Sequence, residues 1–195
     1  MILGITGGTG SGKTTLLKLI EKQGGLTLDC DEIYHELLKT DATLLAEIEN
    51  RFPGTVRAGE LDRKKLGSIV FADAKALSDL NTITHGAVKK EILRRLEHAP
   101  ELVAIDAIGL HEGGLAPLCH VTVAVSAPRE SRIRRLMERE NVTEAYAASR
   151  IDAQHSPQWF AERCDHVLDN GGTQEEFQKK CLAFLQGLGI MKMTK

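Results

Sequence analysis

Gly7-Gly8-Thr9-Gly10-Ser11-Gly12-Lys13-Thr14 satisfies every fixed position of G-x-x-x-x-G-K-[ST], and its surroundings decide what that match means. Met1 to Thr6 is a short run of apolar β-formers, which reads as a buried parallel strand. Past Gly12 the apolar spacing becomes helical, with Leu16, Leu19 and Ile20 at i, i+3, i+4, and Gly24-Gly25 stop the helix. A strand, a glycine-rich turn and a helix in that order aim successive backbone N–H groups at one anion, because glycines turn inward without a Cβ clash. In such a loop Lys13 bridges the β- and γ-phosphates of a nucleoside triphosphate and the Thr14 hydroxyl ligates Mg²⁺. Gly8, Thr9, Gly10, Ser11, Gly12, Lys13, Thr14 and Thr15 are therefore the candidate nucleotide-binding residues. Four fixed positions match by chance in a chain of this kind on the order of one time in a hundred. The flanking strand and helix make chance a poor account.

Working outward, Leu26-Thr27-Leu28 reads as a second strand that delivers Asp29-Cys30-Asp31 at its carboxyl end, the opening of a βαβ unit. From Asp31 to about Glu97 the pattern is helical, broken near Thr40-Asp41, Pro53-Gly54 and Ala72-Asp73. Leu102 to Asp106 and Val121 to Val125 are apolar at nearly every position, as central parallel strands are. Pro128 to Glu140 is a strongly basic helix, Thr143 caps another running through Gln154, and His166-Val167-Leu168 is a last short strand. Thr173 to Leu188 closes the chain as an amphipathic helix with Phe177, Cys181, Phe184 and Leu188 on one face. The expected fold class is α/β, a three-layer P-loop sandwich with a parallel central sheet, a helical substrate-binding insertion and a helical lid. Its expected divisions are a nucleotide-binding core of 1–30, 99–127 and 164–195, a substrate region of 31–98 and a lid of 128–163.

The formal net charge of −2 argues against a protein whose main business is coating nucleic acid. No apolar run approaches the ~20 residues of a membrane span. Met1 to Ile5 carries neither a basic region nor a cleavage site, so no signal peptide is expected. Cys30, Cys119, Cys164 and Cys181 are scattered without a CxxC pair, which suits reduced thiols in the cytoplasm. No nucleic-acid or membrane partner is expected, and the sequence leaves the oligomeric state open.

A phosphate loop does not name a reaction. Asp106-Ala107-Ile108-Gly109 matches the DxxG of GTPases, but no guanine-specifying NKxD accompanies it and no LSGGQ-like signature points to a transporter ATPase. Arg132, Arg135 and Arg139 share one helical face; that stripe is either a clamp on a polyphosphate or a solvated face paired with Glu130, Glu138 and Glu140. Of the three, Arg139 and Arg135 are the functional candidates and Arg132 is expected at the surface. Asp29 and Asp31 are equally well read as a strand-end turn with a helix N-cap, or as catalytic carboxylates beside the phosphate loop.

The loop from Gly7 to Thr14, a strand, then Asp29-Cys30-Asp31 and a helix resembles the dephospho-coenzyme A kinases. The resemblance continues in order through Leu61-Asp62-Arg63, Ile83-Thr84-His85, the lid-like run Arg135 to Glu140, Arg150 to Gln154, and Leu168-Asp169-Asn170. It implies transfer of the γ-phosphoryl group of ATP, with Mg²⁺, to the ribose 3′-hydroxyl of dephospho-coenzyme A. Carried over residue by residue, it makes Asp31 the base for the acceptor hydroxyl, Lys13 and Arg139 catalytic, and Arg135 a nucleotide contact. Asp29 then either supports Mg²⁺ through water or positions Asp31, and Arg63, His85 and Asp106 join Asp31 on the substrate side. Asn170 either edges the adenine or belongs to the turn Asp169-Asn170-Gly171. The family's proline is missing between Asp106 and Glu112, Gly86 replaces a proline after His85, and His120 stands where Asp is usual. These departures are expected on the coenzyme A side. Two alternatives remain at this stage: a kinase for another nucleoside-like or small alcohol acceptor, and a non-catalytic nucleotide- or coenzyme-A-binding regulator.

Overall fold

The apolar stretches flanking the glycine-rich loop assemble into one sheet in the computed structural model, which describes residues 1–190. In chain order, β1 (Ile2–Thr6), α1 (Lys13–Lys22) and β2 (Leu26–Asp29) come first. They are followed by α2 (Cys30–Thr40), α3 (Ala42–Arg51), β3 (Val56–Arg57), β4 (Glu60–Leu61), α4 (Arg63–Val70) and α5 (Ala74–Leu96). After β5 (Val103–Asp106) and β6 (Val121–Ser126) come α6 (Arg129–Glu140), α7 (Glu144–Asp152), α8 (Pro157–Ala161), β7 (His166–Asp169) and α9 (Gln174–Gly187). The five-stranded sheet has the order β2-β5-β1-β6-β7, and β1 is parallel to both its neighbours, with Ile2 opposite Val103 and Leu3 opposite Val121. The expected α/β class with a parallel central sheet is what forms.

Two units divide the chain, one of residues 1–28, 99–111 and 116 onward, the other of 29–98 and 112–115. In the first, Leu3 and Ile5 of β1, Ala104 of β5 and Val123 and Val125 of β6 form a core with Leu16, Leu19 and Ile20 of α1. Phe177, Cys181 and Leu185 of α9 complete it, a strict i+4 series. Full burial of a side chain such as Ile20 is worth roughly 2 kcal/mol, which is why the helical spacing after Gly12 identifies α1 so well. On α9 the stripe turns slightly from expectation: Leu185 is fully buried, while Phe184 and Leu188 only flank the core. A smaller cluster of Ile133, Leu136, Ala147 and Ile151 holds α6 against α7.

The second unit is helical, and aspartates start its helices. Asp29, Asp41, Asp62 and Asp73 cap α2, α3, α4 and α5 by accepting backbone N–H bonds in the first turn. Ile33, Leu44, Ile48, Leu66, Val88 and Ile92 are among the side chains these helices bury. Between α3 and α4 the chain forms a hairpin where the sequence reading gives only a break near Pro53-Gly54 in a helical pattern. Arg57 pairs with Glu60 across Ala58 and Gly59, both at positive φ, 51° and 81°. That is a two-residue type I′ turn, and an alanine at its first position gives little warning of it.

Candidate nucleotide site

β1 ends at Thr6 and α1 begins at Lys13, so the glycine-rich stretch bridges the carboxyl end of a central strand and a helix N-terminus. Gly12 is the N-cap of α1 with left-handed backbone and contributes no side-chain cap. Its φ is +106°, and a Cβ there would lie 2.2 Å from the Asn170 side-chain nitrogen, so only glycine fits. Among the described residues, the backbone N–H groups of Gly10, Gly12, Lys13 and Thr14 have no protein acceptor. Ser11 Oγ is buried without a hydrogen-bond partner. Buried or clustered donors in that state match the oxygens of a phosphate chain.

Lys13 Nζ donates to the Gly7 carbonyl at 3.0 Å and lies 3.8 Å from Asp106 Oδ1 at the end of β5. Thr14 is exposed at the start of α1, its hydroxyl open to solvent. No group of three or more His, Cys, Asp or Glu side chains able to hold a metal occurs among the described residues. A divalent ion here would therefore rest on Thr14 and on the nucleotide's own oxygens, the donor set a P-loop offers.

The carbonyls of Thr9, Gly10 and Ser11 point away from that cradle, toward α6 and the end of β7. Arg135 donates to the carbonyls of Gly10 and Ser11 at 3.1 and 3.3 Å. Asn170 Nδ2 donates to the Ser11 carbonyl at 2.7 Å, and Asn170 N donates to Ser126 O at 2.7 Å. Asn170 is buried and braces the loop. Arg132, expected at the surface, is buried instead and donates to the Thr9 carbonyl at 2.9 Å. The reason lies in the packing of α6: Ile133 and Leu136 turn to α7, and that rotation carries Arg132 and Arg135 onto the loop. Arg139, one turn further along, is 59% exposed and paired with Glu140, which also binds Arg150.

The loss of the proline after Asp106 leaves the local path anchored. Ala107 N donates to Ile5 O at 3.1 Å, Thr6 Oγ1 donates to Ile108 O at 3.0 Å, and Leu110 is fully buried. His120 precedes β6, where its Nδ1 accepts from Ile2 N at 3.0 Å, at the amino end of the sheet, whereas the phosphate loop leaves the carboxyl end of β1.

In the helical unit, Asp29 Oδ1 accepts from the N–H groups of Asp31 and Glu32 at 2.8 and 3.1 Å, the N-cap reading of that residue. Asp31 sits in the first turn of α2, exposed, and its carboxylate has no hydrogen-bond or ion partner among the described residues. Arg63 is the first residue of α4 and its charge acts on Tyr34, whose phenol burial pushes up. His85 lies on α5 beside Asn81 and Lys89, along a groove completed by Glu112, Gly113 and Gly114. Sequence reasoning missed Arg132 and Gln154 as loop contacts. Only their helical spacing from Arg135 and Ile151 carried a signal, and that spacing does not say which face turns inward.

A family model described as dephospho-CoA kinase matches residues 1–176. A curated dephospho-CoA kinase of Enterococcus faecalis is 36% identical over 190 residues, covering 95% of this chain and 96% of the relative. A crystal structure from Thermus thermophilus superposes with a TM-score of 0.82 at 30% identity, covering 100% of this chain and 98% of that one. The dephospho-CoA kinase of Campylobacter jejuni shares the fold, with a TM-score of 0.67 at 24% identity over 97% of this chain and 98% of that one. With a phosphate cradle at the end of β1 and a match over most of its length to one set of phosphotransferases, the chain belongs to the dephospho-CoA kinase family.

Proposed function

We propose that this kinase moves the γ-phosphoryl group of ATP to the ribose 3′-hydroxyl of dephospho-coenzyme A, with Lys13 following the migrating group and Asp31 accepting the hydroxyl proton. The observation that carries the nucleotide half is the cradle of backbone N–H groups from Gly10 to Thr14 with the Lys13 ammonium beside it. Backbone donors cost no reorganisation when charge shifts toward the leaving oxygen, so a prearranged cradle favours the transition state. Thr14 would hold Mg²⁺, which supplies charge neutralisation between the β- and γ-phosphates when bound. In this reading Asp29, the N-cap of α2, would support the metal through water.

The acceptor half rests on the family and on chemistry in the helical unit. An exposed Asp31 carboxylate that makes no hydrogen bond or ion pair among the described residues suits a group that meets a substrate hydroxyl. Residues 31–98, with Arg63 and His85, take the acceptor in this reading, together with Asp106, and 128–163 act as the lid. Arg139 then supplies charge from the lid, Arg135 fixes the nucleotide side, and Asn170 braces the loop rather than reading the base. No helix among the described residues is long and apolar enough to cross a membrane. The four cysteines form no disulfide, which supports a cytoplasmic enzyme.

The test is a mass-spectrometric assay of purified protein with ATP, Mg²⁺ and a panel of acceptors. A phosphate gain on dephospho-coenzyme A that exceeds every other alcohol supports the proposal. Preferred phosphorylation of a different nucleoside or alcohol would replace the acceptor. Nucleotide binding without turnover on any acceptor would leave a binding protein instead.

A further inference from the structure

The Arg132 guanidinium is a buried cation whose partners are all neutral. Its residue is 5% exposed; Nε donates to the Thr9 carbonyl at 2.9 Å and a terminal nitrogen donates to Gln154 Oε1 at 2.7 Å. Among the described residues no carboxylate pairs with it. Asp152, the acid that acts on it from a distance, gives both oxygens to Arg129 at 2.8 and 2.6 Å. Burial accordingly holds Arg132 below the usual guanidinium range, and Asp152 offsets that only in part. A charge taken out of water normally comes with its opposite. Here no described residue supplies the opposite charge, and the groups that Arg132 holds belong to the phosphate loop and its brace Gln154.

Gln154 completes the grip. The same Oε1 accepts from Thr9 N at 2.9 Å, and Gln154 Nε2 donates to Thr9 Oγ1 at 2.8 Å. The N–H, carbonyl and hydroxyl of Thr9 are all occupied by two side chains from the α6–α7 segment. Because N–H and C=O point in opposite directions across a trans peptide, drawing the Thr9 carbonyl to Arg132 aims Gly10 N–H the other way. Arg135 and Asn170 do the same for Gly12 N–H through the Ser11 carbonyl. The grip also fills the space of a missing side chain: a Cβ on Gly8 would lie 2.1 Å from the Arg132 terminal nitrogen and 2.8 Å from Gln154 Oε1.

We propose that Arg132, locked by Gln154 onto Thr9, is a positioning residue for the nucleotide's phosphates, which fixes the peptide planes of the loop and places behind them a buried positive charge that the triphosphate neutralises. The inference rests on the phosphate-loop reading and adds to it a residue that the loop motif does not contain.

The experiment compares Arg132→Gln, Arg132→Lys and Gln154→Leu with wild type in ATP dissociation constant by calorimetry, steady-state kinetics and melting temperature. Arg132→Gln raises the ATP dissociation constant and KM about tenfold or more, the worth of a charged hydrogen bond, and leaves KM for the acceptor unchanged. Arg132→Lys, which keeps the charge and loses the two-pronged geometry, recovers part of that loss. Gln154→Leu weakens ATP less, and its combination with Arg132→Gln is no worse than Arg132→Gln alone, since both remove one grip. A residue with a merely structural role would lower the melting temperature and the active fraction with KM for ATP unmoved. ATP affinity within about twofold of wild type in Arg132→Gln overturns the inference. Should that variant fail to fold, unchanged affinity in both Arg132→Lys and Gln154→Leu overturns it equally. Wild type that does not bind ATP would sink the phosphate-loop reading and this inference with it, whereas intact wild-type binding with unaffected variants sinks the inference alone.

Discussion

Lys13 Nζ stands 3.8 Å from Asp106 Oδ1, so the ammonium of the phosphate loop is held beside the last carboxylate of the neighbouring strand. Both side chains are largely buried, at 13% and 14% exposure, and the same nitrogen donates a hydrogen bond to the Gly7 carbonyl at 3.0 Å. An ammonium restrained at two points is already placed when a phosphate arrives, which lowers the ordering cost of using it.

Lys13→Ala should therefore remove turnover while leaving α1 in place, because Leu16, Leu19 and Ile20 hold that helix to the sheet. We expect kcat to fall roughly 10²- to 10³-fold or more, the range seen when a preorganised transition-state contact is lost. Steady-state assays on protein whose circular dichroism matches wild type would check this. Undiminished kcat would remove Lys13 from the chemistry.

The parts of the molecule written in short-range patterns were legible in the sequence. The loop glycines, the apolar run of β1 and the i, i+3, i+4 spacing of α1 each depend on residues within a few positions of one another. What the sequence concealed depends on which way a helix face turns. The stripe Arg132, Arg135 and Arg139 was visible, but only the packing of Ile133 and Leu136 on α7 puts the first two on the loop and leaves Arg139 in solvent. Asn170 was ambiguous for a similar reason. Its turn-forming neighbours were plain, whereas its bond to the Ser11 carbonyl spans a separation no local pattern encodes. The β3–β4 hairpin escaped because strands of two residues are too short to alternate.

Thr173→Ala should lower stability without touching activity. Thr173 Oγ1 accepts from Glu176 N at 3.2 Å while the Glu176 carboxylate accepts from Thr173 N at 2.7 Å, a capping box at the start of α9. That helix supplies Phe177, Cys181 and Leu185 to the core under β1 and α1. Losing the hydroxyl costs about 1 kcal/mol, or roughly 2–4 °C in melting temperature for a chain of this size. Differential scanning calorimetry would measure the shift, and kcat/KM should equal that of wild type. A large fall in kcat/KM with an unchanged melting temperature would contradict a purely structural role.

Acid should expose the contribution of Glu91. Arg94 binds its carboxylate through two nitrogens at 2.8 and 2.7 Å and Arg95 adds a third bond at 2.7 Å. The Arg94 hydrogen bond, aided by Arg95 and opposed by burial, lowers its pKa from 4.5 to about 2. A carboxylate depressed in the folded state binds its proton first in the unfolded chain. Its stabilisation is thus fully present above pH 4.5 and is lost as pH falls toward about 2. Glu91→Gln should be less stable than wild type near neutrality, with the two converging as the pH drops through that window. Urea unfolding across the range would show it; a stability gap independent of pH would argue that shape, not charge, carries the effect.

Asp31→Asn separates base chemistry from nucleotide binding. The substitution keeps the side-chain shape and leaves intact the bond from Asp31 N to Asp29 Oδ1, so the start of α2 is preserved. The carboxylate itself has no partner among the described residues to lose, and the helical unit should melt as before. If Asp31 takes the proton of the acceptor hydroxyl, an amide at that position cannot, and kcat should fall roughly 10²- to 10⁴-fold. The ATP cradle is built from Gly10 to Thr14, Lys13 and their braces on α6, none of which involves Asp31, so the ATP dissociation constant should not change. Calorimetry with ATP alone, beside turnover with dephospho-coenzyme A, distinguishes the outcomes. Equal losses in both would make Asp31 part of nucleotide binding, while unchanged turnover would return it to the role of a helix-start residue.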